Sequence, residues 1–231
     1  MRATRVVRDT NGGVLVEVTV MMSIMFVVIL GLIDFLFLFY QWNAAAKAVQ
    51  VGARIAAVSD PVASGLRDVS TAMVGASVRP GSAMPAFTVT CDGANRTCGC
   101  EGACTGFGVY DAEAMNTIVF GRGSKACGDA DSFYHAGMCD IFERITPANV
   151  RIRYTQPAPP AGLGYAGRPG GPVPTITVSL QNMPFQFFFL GDLLGFRNLQ
   201  TPAMVTTVTS EDLHSCSPML AACDSIRSAD R

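Results

Sequence analysis

Charge is scarce in this chain: Asp, Glu, Lys and Arg supply 15% of its residues and almost cancel, leaving a net charge of -1 and a pI near 6.1. Nucleic-acid binding draws on a clustered basic face, so that class is excluded. Histidine is scarcer still, with only His135 and His214, and neither falls in a nucleophile motif. A Ser-His-Asp or Cys-His catalytic set therefore has no support, no enzyme is expected, and no small-molecule substrate is implied. Cysteine is missing from everything that precedes residue 91. All eight, Cys91, Cys98, Cys100, Cys104, Cys127, Cys139, Cys216 and Cys223, lie beyond it. This distribution suits a domain in an oxidising, extracytoplasmic compartment that disulfides hold together.

Paired metal-ligand spacing is also lacking. Cys98 and Cys100 have one residue between them, and Cys127 and Cys139 have eleven, so disulfides are preferred to a zinc site built on Cys127, His135 and Cys139. The pairing itself is open, since eight cysteines allow 105 connectivities, although Cys216 and Cys223 are near enough to form a local clip. "GLGYAG", residues 162 to 167, has the glycine spacing of a dinucleotide-binding turn, but "RPGGPVP" follows it where a helix would have to receive the pyrophosphate. It reads as a long strand connection, and no cofactor is expected. There is no internal repeat. "NRT" at Asn95 carries no weight as a glycosylation acceptor.

What the chain does have is one long apolar run. From Val18 to Tyr40 the only exceptions are Thr19, Ser23, Gly31 and Asp34. A helix of that length crosses a hydrocarbon core of about 30 Å. Arg2, Arg5 and Arg8 precede the run, and only Lys47 and Arg54 follow closely, so the positive-inside bias places the N-terminus in the cytoplasm and the bulk of the chain outside. Three readings of this segment stay open. A secretory signal ending at Ala44 to Ala46 would have too long an apolar region. An uncleaved anchor is the plainest alternative. In the third, cleavage between Gly12 and Gly13 leaves Glu17 as the fifth mature residue, just before the helix enters the membrane.

The third reading carries a family resemblance. Gly12, Val16 and Glu17, then Asp34, then Gly52, Ala53, Arg54, Ala56 and Ala57 form a pattern that resembles the TadE-like pseudopilins of the tight-adherence (Tad/Flp) pilus system. The departure is Asp34, which stands where the family has a glutamate. The resemblance implies a prepilin peptidase that cuts on the cytoplasmic side, and partnership with other pilins and pseudopilins and with the inner-membrane platform. It also implies a role for Glu17 in registering one helix against the new amine of a neighbour. Apart from any family, a carboxylate such as Asp34 inside a span costs on the order of 3 kcal/mol on insertion scales. It is expected to face protein, with a partner helix implied, unless it lies near enough to the outer interface to be hydrated.

The sequence predicts a helix over about 14–58, roughly 65 Å at about 1.5 Å per residue. On its outer half Asn43, Lys47, Gln50 and Arg54 make a polar stripe, while Ala44, Ala48, Gly52 and Ala56 recur every fourth residue. That small-residue row is either a seam for a neighbouring helix or a face covered by the chain's own sheet. Beyond Pro61, residues 65–78 have amphipathic helical spacing, and further helices are expected near 110–120 and 138–145. Strand-like alternation appears at 86–91, 149–156, 174–181 and 203–210. Residues 92–108 and 121–137, rich in glycine, read as disulfide-held loops. "MPFQFFFLGDLLGF", residues 183–196, is too short to span and reads as a core segment or as a contact with a subunit or the membrane surface.

These readings combine into a cytoplasmic leader (1–12), a long helix (13–60) with its span near 18–40, and a periplasmic α+β domain (61–231) with a mainly antiparallel sheet. The functional expectation is a minor pseudopilin that supports assembly or anchoring of an adhesive Tad-type pilus at the inner membrane. The competing class is a single-pass, membrane-tethered periplasmic binding or sensor domain. A secreted disulfide-rich binding protein, cleaved near Ala46, is a third.

Overall fold

The computed structural model of the chain describes residues 10–66, 79, 81–102, 107–129, 135–166, 172–184, 186–189, 191, 195, 203–210 and 213. Residues 10 to 60 contain no proline, so nothing interrupts the backbone ladder, and one helix, α1, runs through Thr10–Ala57. The chain then divides into two units. Met1–Trp42 belongs with Pro184–Gln200, and Asn43–Met183 belongs with Thr201–Arg231.

The second unit is α+β. Five strands, β1 (Phe87–Asp92), β2 (Thr97–Gly102), β3 (Val150–Gln156), β4 (Thr175–Leu180) and β5 (Val205–Thr209), form one antiparallel sheet in the order β2-β1-β3-β4-β5. Period-two alternation puts Phe87, Val89 and Cys91, then Val150, Ile152 and Tyr154, then Ile176, Val178 and Leu180 on one buried face. The register aligns them, with Val89 opposite Tyr154, Cys91 opposite Ile152, and Ile152 opposite Val178. The same core takes in Ala45, Ala48, Val49, Ala53 and Ala56 from the last turns of α1, and Met115, Ile118 and Val119 from α2 (Ala112–Phe120).

Local chemistry sets the helix ends. Asp111 caps α2 by accepting the N–H groups of Glu113 and Ala114 at 2.9 and 3.1 Å, and Gly121, at φ 94°, closes it with its N–H on the Thr117 carbonyl. The expected helix near 138–145 is a single turn, α3 (Met138–Ile141). The carboxylate of Asp140 accepts the N–H of Gly137 and the N–H of Gly128, both at 2.7 Å, and so ties the preceding loop to this turn. Tyr154 is fully buried, and its hydroxyl accepts the Val62 N–H at 3.0 Å. Burial pushes its pKa well above the usual tyrosine range.

The reading of 92–108 as loop needs correction, because residues 97–102 are strand β2. "TCGCEG" has neither β-branched enrichment beyond Thr97 nor apolar alternation. Hairpin pairing with β1, closed by residues 93–96, and the Cys91–Cys98 disulfide, which joins directly opposed residues, make it a strand instead. The described residues of the second loop carry no α-helix or β-strand, and Cys127–Cys139 ties them to α3; residues 130–134 lie outside the described residues. Cys100 is also disulfide-bonded. Cys104, Cys216, Cys223 and His214 lie outside the described residues, as does nearly all of the amphipathic helix expected over 65–78. Ser64–Leu66 is a 3-10 turn.

Candidate functional site

The small-residue row is filled from within the chain. Ala48, Gly52 and Ala56 are buried and Ala44 is half-buried, while Lys47, Gln50 and Arg54 on the polar stripe stay exposed. Gly52 sits directly against Met138, and a Cβ at this position would collide with the Met138 Sδ. Of the two covers weighed for this face, the chain's own domain occupies it. The reason is volume: only small side chains let α3 approach the helix backbone this closely.

In the other unit α1 behaves differently. From Val14 to Ile29 every residue is exposed around the whole helix, Glu17 included. An 18-residue window in this helix has a mean hydropathy of 2.6 and is only 6% buried, which no core helix of a water-soluble domain would match. Gly12 and Gly13 lie in its first turns.

Between Gly31 and Gln41 one face of the helix becomes covered. Asp34 and Gln41, seven residues apart, are 1% and 3% exposed, while Phe35, Leu36, Phe39 and Tyr40 stay open. Among the described residues, the segment Gln186–Phe189, which is neither helix nor strand, bonds to this face. Both carboxylate oxygens of Asp34 accept backbone N–H groups at 2.9 Å, Oδ1 from Phe188 and Oδ2 from Phe189. Two turns on, Gln41 pairs with Gln186 like a strand neighbour. Its Nε2 donates to the Gln186 carbonyl at 2.9 Å, and its Oε1 accepts the Gln186 N–H at 3.1 Å. Phe37 lies between them in sequence, its ring 4.5 Å from that of Phe188.

This arrangement bears on two expectations. Asp34 does face protein, and the N–H groups on its carboxylate come from a segment of its own chain beyond β4. The phenylalanine-rich stretch, where described, is not core of the α+β unit past Met183: Phe188 and Phe189 are 54% and 44% exposed and belong with α1. Gln41 was missed altogether. The available signal was its position seven residues after Asp34, which puts two polar side chains on one face of an otherwise apolar helix.

The remaining candidates carry no site. Gly162–Ala166 is a turn in which Tyr165 bridges Ala83. Cys127 and Cys139 are joined to each other, so neither is a thiolate that could ligate zinc. His135 is exposed, and its carbonyl accepts the Arg122 N–H. Among the described residues no cluster of three His, Cys, Asp or Glu is placed to hold a metal. Asp92 accepts from Arg151, Ala94 and Gln181, each at 2.9 Å, on the polar face of the sheet. Partial burial raises its pKa, but these hydrogen bonds and the guanidinium outweigh it and hold the carboxyl below the usual range.

One exposed, apolar, membrane-length helix joined to a disulfide-stapled α+β unit fits a single-pass membrane protein. The family model of TadE-like proteins matches residues 12–54, from Gly12 through Glu17 and Asp34 to Arg54. This stretch of the chain is similar to the TadE-like proteins. No curated protein and no solved structure matches the chain.

Proposed function

We propose that the protein is a minor pseudopilin of a Tad-type pilus, which supports assembly or anchoring of adhesive pili and performs no chemistry of its own. The observation that carries this reading is the TadE-like match over residues 12–54, which starts at the glycine pair and takes in the bare part of α1. A helix exposed around its whole circumference, with a carboxylate at its entrance, is suited to lie beside other helices in a bilayer. In this reading a prepilin peptidase cuts between Gly12 and Gly13, and Glu17 pairs with the new amine of a neighbour, since a carboxylate at the membrane entrance is stabilised by a cation. Asp34 serves intramembrane packing. The span lies in the inner membrane with the N-terminus cytoplasmic, and the α+β unit is periplasmic, where its disulfides are stable. Other pilins and the inner-membrane platform are the partners. TadE-like proteins are in general non-enzymatic, which favours this reading over a tethered enzyme.

The test is the N-terminus and intact mass of the protein purified from membranes of its native host. A chain that begins at Gly13 is expected. A chain that keeps Met1 or Arg2 while the peptidase is active would refute the pseudopilin reading in favour of a tethered periplasmic domain.

A further inference from the structure

Irregular backbone is rare at membrane depth because its N–H and C=O groups have no water to bond, and it is tolerated only where protein supplies partners. Gln186–Phe189 is irregular, and α1 supplies such partners. Asp34 takes the N–H groups of Phe188 and Phe189, and Gln41 takes both backbone groups of Gln186. These bonds fix the depth of the segment. Asp34 lies within the apolar run, six residues before its end at Tyr40, or about 9 Å along the helix axis. Residues 183–189, "MPFQFFF", contain no charged side chain that would keep them in water.

The exposed faces agree with that depth. With their N–H groups held by Asp34, Phe188 and Phe189 stay 54% and 44% exposed, and the Phe188 ring lies 4.5 Å from that of Phe37, whose sequence neighbour Leu36 is itself exposed. The open apolar surface of the loop thus continues that of the span, and whatever covers one covers the other. We propose that Gln186–Phe189 is a re-entrant wedge that inserts its phenylalanines into the lipid leaflet crossed by the C-terminal end of the span, with Asp34 and Gln41 as its positioning residues. Its occupant is the boundary between acyl chains and headgroups, where aromatic side chains partition well. The inference rests on α1 spanning a membrane and does not depend on association with a pilus.

The test uses the full chain in phosphatidylcholine vesicles. Trp42 is the only tryptophan, so Trp42→Phe with Phe188→Trp gives a single reporter. Lipids brominated along the acyl chain are expected to quench its emission, and aqueous iodide is not, at every protein-to-lipid ratio. Adding Asp34→Ala should restore iodide quenching as the wedge leaves the leaflet. Iodide quenching in the parent would overturn the proposal. So would protection that disappears on dilution with lipid, which would assign the phenylalanines to a second copy of the chain. Phe189→Trp, run in parallel, keeps the test open if the first variant does not fold. A chain that fails to float with the vesicles would refute the span, and the wedge with it, whereas a floating chain open to iodide refutes the wedge alone.

Discussion

Asp34→Asn changes little in volume but much in hydrogen bonding. The carboxylate offers an acceptor oxygen to each of two N–H groups, both at 2.9 Å. The amide offers one oxygen, and it turns an NH2 donor toward the second N–H. A hydrogen bond to a charged group contributes about 1.5–3 kcal/mol, and at about 1.4 kcal/mol per tenfold the opening equilibrium of the segment should rise about ten- to a hundredfold. The measurement is hydrogen exchange of the peptide that contains Phe188 and Phe189, with the full chain in detergent micelles. Exchange in that peptide should accelerate by this factor, while peptides from β3 and β4 keep their protection, because the perturbed bonds lie outside the sheet. Gln41→Ala should accelerate exchange at Gln186 by a smaller factor, since it removes neutral bonds. Unchanged exchange at residues 188 and 189 in Asp34→Asn would show that the carboxylate does not hold the segment, and the account of the site would fall.

Three further outcomes follow from the α+β unit. Tyr154→Phe strips the buried Val62 N–H of its acceptor, at a cost of about 1–3 kcal/mol, and should lower the melting temperature by several degrees; an unchanged melting curve would contradict the pairing. Asp92 has a depressed folded-state pKa, so its stabilisation is complete above the ordinary aspartate value near 3.9 and is lost as pH falls through the lower folded value. Because Arg151 is well exposed, the effect should stay below about 1 kcal/mol, and Asp92→Asn should flatten the acid limb of the stability curve only in that window. Gly93→Ala places a Cβ onto the Pro147 carbonyl oxygen and within 2.8 Å of that of Val150, backbone atoms that cannot swing aside. It should cost more than the about 1–3 kcal/mol typical of overpacking, read as a reduced midpoint in urea unfolding.

Legibility in the sequence followed the range of the interactions. Strands β1, β3 and β4 announce themselves because each buries one face, which imposes alternation on residues two apart. Helix α1 does so because a membrane imposes apolarity on a whole run. Strand β2 was invisible: an edge strand of glycine and cysteine is specified by the strand it pairs with and by Cys91, neither of which its own composition encodes. The site was half legible. Asp34 stood out, since a carboxylate in a span needs a reason, and the aromatic stretch stood out as excess apolar surface. Their meeting did not show, because Asp34 acts on backbone N–H groups, and backbone atoms leave no mark on side-chain pattern. Gln41 looked like the polar end of the helix for the same reason.

Strands β4 and β5 are adjacent and antiparallel, and Leu180 already donates its N–H to the Met204 carbonyl at 3.1 Å. Two residues would suffice to turn the chain there, yet the connection runs through residues 181–204 and takes in the segment that Asp34 and Gln41 hold. The sheet has no topological need of that excursion, which makes it a removable module. A chain in which Pro184–Gln200 gives way to a short turn should keep the order and register of all five strands. Such a deletion would separate folding from whatever the loop does in the membrane, and would turn the protein into its own control.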